Sequence, residues 1–135
     1  MADVRDMTRI REVFTAHRPE LVFHAAAMKH VPMVEMNPCE GVLTNIVGTR
    51  NVADACVEFG AKAMVLISTD KAVNPTSVMG ATKRVAELIV HRMTRRGSTV
   101  RYDENNTLMM AIPQRAILTS LLSDAGPNCR KNQGS

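Results

Sequence analysis

Residues 62–83 read "KAMVLISTDKAVNPTSVMGATK" and change character halfway along. The first part is an unbroken apolar run of strand length, which is typical of a strand buried on both faces of a parallel sheet. Asn-Pro at 74–75 marks a turn, and the hydroxyl residues at 76 and 77 can cap a helix that we predict to reach about Arg95. The stretch therefore predicts a strand, a turn and a helix.

Helix and strand patterns also alternate in the residues before this stretch. Residues 7–17 place apolar side chains at helical spacing, and "ELVFHAAA" at 20–27 is a second apolar run of strand length. A long helix is predicted from about Pro38 to Phe59, with Gly60 where a C-terminal cap belongs. Alternating helices and strands predict an α/β fold, a parallel sheet flanked by helices.

Composition excludes several function classes. A chain of 135 residues with 45% apolar residues fits a globular domain, and 3% aromatics leave a nucleic-acid stacking surface poorly supplied. Three cysteines without C-x-x-C spacing predict a reduced, cytoplasmic compartment. No apolar stretch approaches the roughly 20 residues that cross a bilayer, and none reads as a signal peptide. We expect no nucleic-acid partner, no membrane segment in this chain and no metal site.

Two polar clusters, His24 to His30 and Ser68 to Lys71, follow the two predicted strands. Ligands of parallel sheets lie at the carboxyl ends of strands, so both clusters are candidate site residues. Asp70 can serve as an acid; Lys71 can serve as a base if burial or a neighbouring cation lowers its pKa from about 10.4. The alternative is that Asp70 and Lys71 form a solvated loop pair.

The next helix is predicted to bury an apolar stripe formed by Val78, Val85, Leu88 and Ile89, with Met93 as a further candidate. Met79 and Lys83 are four residues apart and therefore share one helix face. A thioether cannot give or take a proton, so chemistry at this face would need another proton donor.

Four segments carry a resemblance: "DVRD" at 3–6, "VFHAAAMKHVPMVEMNP" at 22–38, "TNIVGTRNV" at 44–52 and "LISTDKAVNPTSVMGATKR" at 66–84. They closely resemble the polysaccharide-biosynthesis UDP-N-acetylglucosamine 4,6-dehydratase-like family. These CapD-like proteins belong to the extended short-chain dehydrogenase/reductase superfamily. The resemblance covers about residues 2–96 and implies a partial Rossmann-type, NAD(P)-binding fold. It also disfavours the solvated-loop interpretation.

The resemblance implies roles for individual residues. Asp3 and Val4 would touch the adenine of NAD(P)+, and Ala25, Ala26 and Ala27 would line the cofactor with their backbone. The other implied cofactor residues are Asn45, Ser68 and Lys83, with Lys83 on the nicotinamide ribose. A UDP-sugar would contact Lys29, Thr69 and Asn74. The implied catalytic residues are Thr69, Asp70, Lys71, Met79 and Lys83.

The family chemistry is an internal redox cycle. Hydride leaves sugar C4 for NAD(P)+ and later returns to C6, so no net oxidation occurs. Lys71 would remove the C5 proton, Asp70 would protonate the departing C6 hydroxyl, and Thr69 would hold the C4 oxygen, with Ser68 the weaker candidate. Met79 stands where the superfamily has a tyrosine. The subfamily with membrane-anchored relatives commonly carries Met there, and the C4-hydroxyl proton would pass to Thr69 and water, or to Asp70.

The chain departs from the family at both ends. The family's glycine-rich loop, in a strand-helix-strand unit, would precede Asp3; after Arg96 the family continues "VRFGNVLGS" where this chain reads "GSTVRYDENNTLMMAIPQ". We therefore expect a gene fragment or a frameshift. Residues 1–96 would form a partial NAD(P)-binding domain, and 97–135 a divergent, partly disordered tail with a short strand at 108–112 and a short helix at 114–122.

Three functions remain open at this stage. The first is a nucleotide-sugar 4,6-dehydratase. The second is a nucleotide-sugar 4-epimerase, which needs no Asp-Lys pair. The third is a non-catalytic remnant or interaction module, because a chain without the glycine-rich loop is expected to bind NAD(P)+ weakly or not at all. A homo-oligomer is allowed, and the parent protein is expected in the cytoplasm or at the cytoplasmic face of the inner membrane.

Overall fold

The computed structural model describes residues 2–72, 74–94, 99–102 and 108–111. The helices are α1 (Met7–His17), α2 (Val31–Met36), α3 (Pro38–Gly41), α4 (Gly48–Glu58) and α5 (Val78–Thr94). A π-helical turn (Val42–Val47) joins α3 to α4, and a 3-10 turn (Asp70–Ala72) precedes α5. The strands are β1 (Leu21–His24), β2 (Ala63–Leu66), β3 (Thr99–Tyr102) and β4 (Leu108–Ala111).

The sheet has the order β1-β2-β4-β3. β1 and β2 are parallel, with Leu21 opposite Ala63 and His24 opposite Leu66, which confirms the predicted parallel α/β layer. β4 runs antiparallel to both β2 and β3, so the sheet is mixed. β4 confirms the short strand expected at 108–112, whereas β3 was not predicted. The helix expected at 114–122 lies outside the described residues, and the domain boundary near residue 97 stays a prediction.

Helix ends follow the expected chemistry. Asp6 caps α1, because its Oδ1 accepts a hydrogen bond from the Arg9 amide at 3.1 Å. After α4, Gly60 adopts φ 72°, a left-handed conformation that favours glycine. The Ala61 amide then donates to the Cys56 carbonyl at 2.9 Å, which closes the helix as a Schellman motif. The cap predicted at Gly60 is therefore confirmed.

The long helix predicted from 38 to 59 is interrupted. Its middle widens into the π-helical turn, and Asn45 lies inside that turn, buried. Helical periodicity of apolar residues cannot distinguish a π turn from an α turn over so short a length. The short helix α2, which begins with Pro32 in its first turn, was also not predicted.

Residues of α1, α4, β2 and α5 form the hydrophobic core. Ile10 and Phe14 of α1 face α4, and the Phe14 and Phe59 rings stand 5.8 Å apart between centroids. The other buried members of this core are Val52, Ala53, Ala55, Cys56, Ala61, Met64, Leu66 and Val90. Among the described residues, no helix is both long and apolar enough to cross a membrane.

The apolar stripe predicted for α5 was partly wrong. Val85 and Leu88 are exposed, at 40% and 52%, and the buried face instead carries Met79, Ala86 and Val90. Polar side chains share that buried face: Thr82, Lys83 and Glu87. A stripe drawn from hydrophobicity alone misplaces the face, because these polar groups are buried through hydrogen bonds.

Candidate active site at the strand ends

The two polar clusters predicted from the sequence come together. His24 is the last residue of β1, and the amide of Ile67, just beyond β2, donates to the His24 carbonyl at 3.1 Å. The segments after both strands therefore begin side by side at one edge of the sheet. This is the edge at which open α/β sheets bind ligands.

Asn45 clamps the segment that follows β1. Its Oδ1 accepts from the Met28 amide at 2.7 Å, and its Nδ2 donates to the Met28 carbonyl at 3.1 Å and to Thr82 Oγ1 at 2.9 Å. The Thr82 hydroxyl in turn donates to the Met79 carbonyl at 2.8 Å. One buried amide thus joins the segment after β1 to α5, and it lies in a π turn, a feature frequent at functional sites.

His24 is a buried, neutral group. Its Nε2 lies 2.9 Å from Thr49 Oγ1, and the Thr49 hydroxyl donates to the Asn45 carbonyl at 2.7 Å. Since Thr49 has one hydroxyl proton, the network assigns the shared proton of the first bond to His24 Nε2. Burial, aided by the charge of Lys83, lowers the pKa of His24 to about 4. His24 therefore orders the site and does not exchange protons near neutral pH.

Lys83 is 8% exposed and reaches the end of β2. Its Nζ donates to the Ile67 carbonyl at 3.2 Å. Burial lowers the pKa of Lys83, and the negative charge of Glu87 opposes that change. The ammonium group therefore lies at the strand end, where the resemblance expects a contact to a cofactor ribose.

Ser68 is engaged by a residue that sequence reasoning missed. Its hydroxyl donates a hydrogen bond to Glu87 Oε1, and Glu87 Oε2 accepts from Arg84 at 3.0 Å. Because Ser68 has a single hydroxyl proton, this bond leaves it only acceptor capacity. The available sequence signal was that Glu87 lies one helical turn after Lys83.

The Asp70–Ala72 turn is held close to α5. The Ala72 amide donates to the Thr69 carbonyl at 3.1 Å, and the Lys71 amide lies 3.5 Å from Thr69 Oγ1. A Cβ on Gly80 would lie 2.6 Å from the Lys71 carbonyl, so only glycine permits this approach. The Lys71 side chain is exposed, so the burial considered for a base at this position does not occur. Thr69 is half-buried, and the backbone alone of Asp70 is described.

Two groups fix the start of α5. Ser77 Oγ accepts from the Gly80 amide at 3.1 Å, which confirms a cap at the predicted position. Glu35 of α2 accepts from the Val78 amide at 2.6 Å, a contact across 43 residues that the sequence did not predict. Met79 in the first turn is 2% exposed, so its thioether is packed inside the protein.

The remaining predicted residues are more dispersed. Asp3 is exposed and bound by the Arg5 guanidinium, whose hydrogen bonds lower the pKa of Asp3 to about 2. Val4 is half-buried against the core, and its carbonyl accepts from Asn51 of α4 at 3.0 Å. The side chains of Ala25, Ala26, Lys29 and Asn74 are exposed, and that of Ala27 is half-buried. Their predicted contacts stay predictions.

The described side chains contain no group of three His, Cys, Asp or Glu residues arranged to hold a metal ion. The ionisable groups near the strand ends are instead a lysine buried in α5, the carboxylate of Glu87 and the exposed Lys71.

A family model described as polysaccharide biosynthesis protein matches residues 1–112. The capsular polysaccharide biosynthesis protein CapD of Staphylococcus aureus is 53% identical over 93 residues, which cover 69% of this chain and 16% of that protein. UDP-N-acetylglucosamine 4,6-dehydratase (inverting) of Campylobacter jejuni is 48% identical over 87 residues, covering 64% of this chain and 25% of that enzyme. The chain therefore spans a quarter or less of these two relatives.

A nucleotide-sugar epimerase and a solved structure are also similar to this chain. UDP-glucose 4-epimerase of Rickettsia rickettsii is 40% identical over 103 residues, covering 74% of this chain and 30% of that enzyme. The solved structure of Pen from Bacillus thuringiensis superposes with a TM-score of 0.66 at 39% identity, covering 70% of this chain and 29% of that one. The resemblance read from the four sequence segments is thus confirmed, and the chain belongs to the polysaccharide biosynthesis protein family of Rossmann-type nucleotide-sugar enzymes in the extended short-chain dehydrogenase/reductase superfamily.

Proposed function

We propose that this chain carries the catalytic strand ends of a nucleotide-sugar 4,6-dehydratase acting on a UDP-N-acetylglucosamine-type substrate. The observation that carries the proposal is the packing of the Lys71 turn on α5. The close approach of Gly80 to the Lys71 carbonyl fixes the turn beside the helix that bears Lys83. A base and a cation are thereby supplied from fixed backbone positions at one sheet edge, as positioned acid–base chemistry requires.

Two features of the described residues fit a nicotinamide cofactor. The Lys83 ammonium is a buried donor at the end of β2, suited to a ribose hydroxyl, and Asn45 fixes the segment that follows Ala25, Ala26 and Ala27. Ala25 and Ala26 are exposed and carry no bulky side chain, so the backbone beside them can approach a ligand. When bound, NAD(P)+ supplies reversible hydride transfer.

Different residues of the chain carry out the separate proton transfers. Lys71 accepts the C5 proton, and Asp70 donates a proton to the C6 hydroxyl oxygen as water leaves. Thr69 donates a hydrogen bond to the C4 oxygen, and Ser68, whose hydroxyl donates to Glu87, is the weaker candidate. Lys29 and Asn74, both exposed, contact the UDP-sugar, and Asp3 and Val4 contact the adenine. Met79 takes no part in proton transfer and packs the first turn of α5.

The test is a direct product analysis. The chain is incubated with UDP-N-acetylglucosamine and with NAD+ or NADP+ at millimolar concentration, because weak cofactor binding is expected, and the products are read by NMR. A 4-keto-6-deoxy sugar nucleotide supports the proposal. Lys71→Ala should abolish it, whereas Lys62→Ala, which removes an exposed lysine paired with Glu20, is the matched control and should not.

A 4-epimerase is the second candidate, and the similarity to UDP-glucose 4-epimerases favours it. An epimerase would yield the C4 epimer with no loss of water and would tolerate Lys71→Ala. If neither product forms and neither ligand binds, the chain is a non-catalytic remnant or interaction module. A cytoplasmic location, favoured by free Cys39 and Cys56, and a homo-oligomeric state complete the proposal and stay predictions.

A further inference from the structure

One face of the β1–β2 pair is open beside β1. Phe23 is 69% exposed and Leu21 is 50% exposed, although both lie inside a strand. Side chains alternate between the two faces of a strand, so Val22 lies on the opposite face from these two residues. Val22 and its neighbour Met64 in β2 pack in the core with residues of α1, α4 and α5. The core helices therefore cover one face, and the face that carries Phe23 is open beside β1.

The open region continues at the end of β2. Ile67 follows Val65 by two residues, so it extends the same face, and it is 40% exposed. Its amide donates to the His24 carbonyl, which places it next to β1. Val65 itself, opposite Phe23, is buried at 5%, so the opening is limited to β1 and the end of β2. We call Leu21, Phe23 and Ile67 the Phe23 face.

An exposed apolar face of this kind needs a cover. Parallel strands in α/β proteins are buried on both faces, and grouped apolar side chains on a surface mark a site of interaction. Phe23 in particular would bury a large apolar area under a packed partner. The question is which segment or partner lies on this face.

The chain leaves the sheet close to the Phe23 face. β4 ends at Ala111, which lies opposite Ala63 of β2, and Ala63 lies opposite Leu21 on its other side. These three residues form one row across the sheet, in which neighbouring strands are about 4.8 Å apart. Residues 112–135 follow this row in the sequence. A segment that turns back after Ala111 has to pass only β2 to reach Leu21.

The sequence that follows Ala111 has the pattern of such a cover. Residues 113–122 read "PQRAILTSLL", and Pro113 is suited to the first turn of the helix predicted at 114–122. That helix would be roughly 13 Å long, which matches the roughly 13 Å of strand from Ala63 to Ile67. A helix this short is marginal in water by itself, so it needs a surface to pack on. Its apolar stripe consists of Ile117, Leu118, Leu121 and Leu122.

We propose that residues 114–122 form an amphipathic helix that docks on the Phe23 face. A segment tethered this close has an effective concentration in the millimolar range, which favours it over a second copy of the chain. Docking would also cover the strand end from which the candidate site is built, because the Ile67 carbonyl binds Lys83 Nζ. The inference is independent of the proposed function, since it requires neither a cofactor nor a sugar substrate.

The test uses a fluorescent probe in the 135-residue chain, which contains no tryptophan. Phe23→Trp places a single indole on the open face, and a docked helix should shift its emission to shorter wavelength. Adding Leu121→Asp puts a charge on the apolar stripe and should shift the emission back to that of an indole in water. Thr119→Asp puts the same charge on the polar side of the predicted helix. It is the matched control and should leave the emission unchanged.

A second readout measures the coupling between the two sides of the contact. Phe23→Ala should lower the urea midpoint of the wild-type chain by about 1 M, because a buried aromatic side chain is lost. In the Leu121→Asp chain the same substitution should lower the midpoint by less, since the contact is already broken. Equal losses in the two backgrounds would overturn the inference.

Three fluorescence results would also overturn it. The first is emission typical of an indole in water from Phe23→Trp alone. The second is short-wavelength emission that Leu121→Asp leaves in place or that Thr119→Asp removes equally well. The third is emission that moves to longer wavelength on dilution, which would make a second copy of the chain the occupant.

If Phe23→Trp does not fold, NMR of the wild-type chain decides. Nuclear Overhauser contacts between the Phe23 ring and the methyl groups of Ile117, Leu118, Leu121 or Leu122 support the docked helix. A Phe23 ring without contacts to any of these methyl groups overturns it.

Discussion

Asn45 binds both backbone polar groups of Met28, accepting from its amide at 2.7 Å and donating to its carbonyl at 3.1 Å. The side-chain amide thus takes the place that a neighbouring strand would fill for a residue beyond the end of β1. Because Asn45 also donates to Thr82, the segment after β1 and the helix α5 are held by one group.

Replacing Asn45 with Ala should therefore destabilise the chain. The substitution leaves the backbone polar groups of Met28 without a partner, and each such group costs about 1–3 kcal/mol of stability. We therefore expect the free energy of unfolding, measured in urea titrations, to fall by about 3 kcal/mol. Asn37→Ala is the matched control: its exposed Nδ2 also donates to a backbone carbonyl, that of Met33. The control should lose less than about 1 kcal/mol. Equal losses in the two variants would contradict the clamp.

Stability should depend on pH through His24. Its pKa is about 4 in the folded chain against 6.5 for the free side chain, so between these values the unfolded chain binds more protons. Stability is then fully present above pH 6.5 and is lost as the pH falls toward 4, by about 3 kcal/mol. Urea midpoints measured across this window give the slope.

His24→Gln keeps an Nε2 donor for Thr49 and cannot take up a proton in this range. That variant should flatten the acid slope. His17→Gln removes an exposed histidine at the end of α1 and should leave the slope as it is. A wild-type slope in His24→Gln would show that another group drives the acid transition.

Gly80→Ala should destabilise the chain, although replacing glycine by alanine within a helix usually stabilises it. In an open helical position alanine gains about 1 kcal/mol over glycine. Here the added methyl group would lie 2.6 Å from the Lys71 carbonyl, and such overpacking costs about 1–3 kcal/mol. We expect lower stability and altered amide shifts at Asp70, Lys71 and Ala72.

Ala81→Gly, at the next and exposed position, is the control for helix propensity. It should lose about 1 kcal/mol and leave the amide shifts of the Asp70–Ala72 turn in place. A stabilised Gly80→Ala variant with unchanged shifts would mean that the turn does not pack on α5 as described.

Met79 should behave as a packing residue. Met79→Leu conserves volume and should lose less than about 1.5 kcal/mol with product formation retained, because the thioether transfers no proton. Met79→Ala should lose about 2–5 kcal/mol through the cavity it leaves. Met36→Leu, at a position 81% exposed, is the control and should change neither quantity. A Leu variant that folds normally but loses more than tenfold in rate would assign Met79 a chemical role.

Much of the fold was readable from local patterns. Two apolar runs predicted β1 and β2. The glycine after α4 predicted where that helix ends, and the hydroxyl at Ser77 predicted where α5 begins. These features depend on a few neighbouring residues, so a sequence window contains their causes. The family resemblance then named Lys71, Asn45 and Lys83 before their surroundings were known.

The rest depended on contacts between distant residues. Glu35 binds Val78 and Ser68 binds Glu87 across 43 and 19 residues, and neither pairing leaves a local pattern. The exposed positions of Val85 and Leu88 were missed for the same reason. Polar residues can be buried on the opposite face of α5 because they form hydrogen bonds with residues elsewhere in the chain.

The measurement closest to the central claim is the fate of UDP-N-acetylglucosamine incubated with the chain and NAD+ or NADP+ in D₂O. We predict a 4-keto-6-deoxy sugar nucleotide carrying deuterium at C5, formed by the wild type and Lys62→Ala and absent with Lys71→Ala. Formation of the C4 epimer, or recovery of unchanged substrate without deuterium at saturating cofactor, would contradict the assignment of this site to 4,6-dehydration.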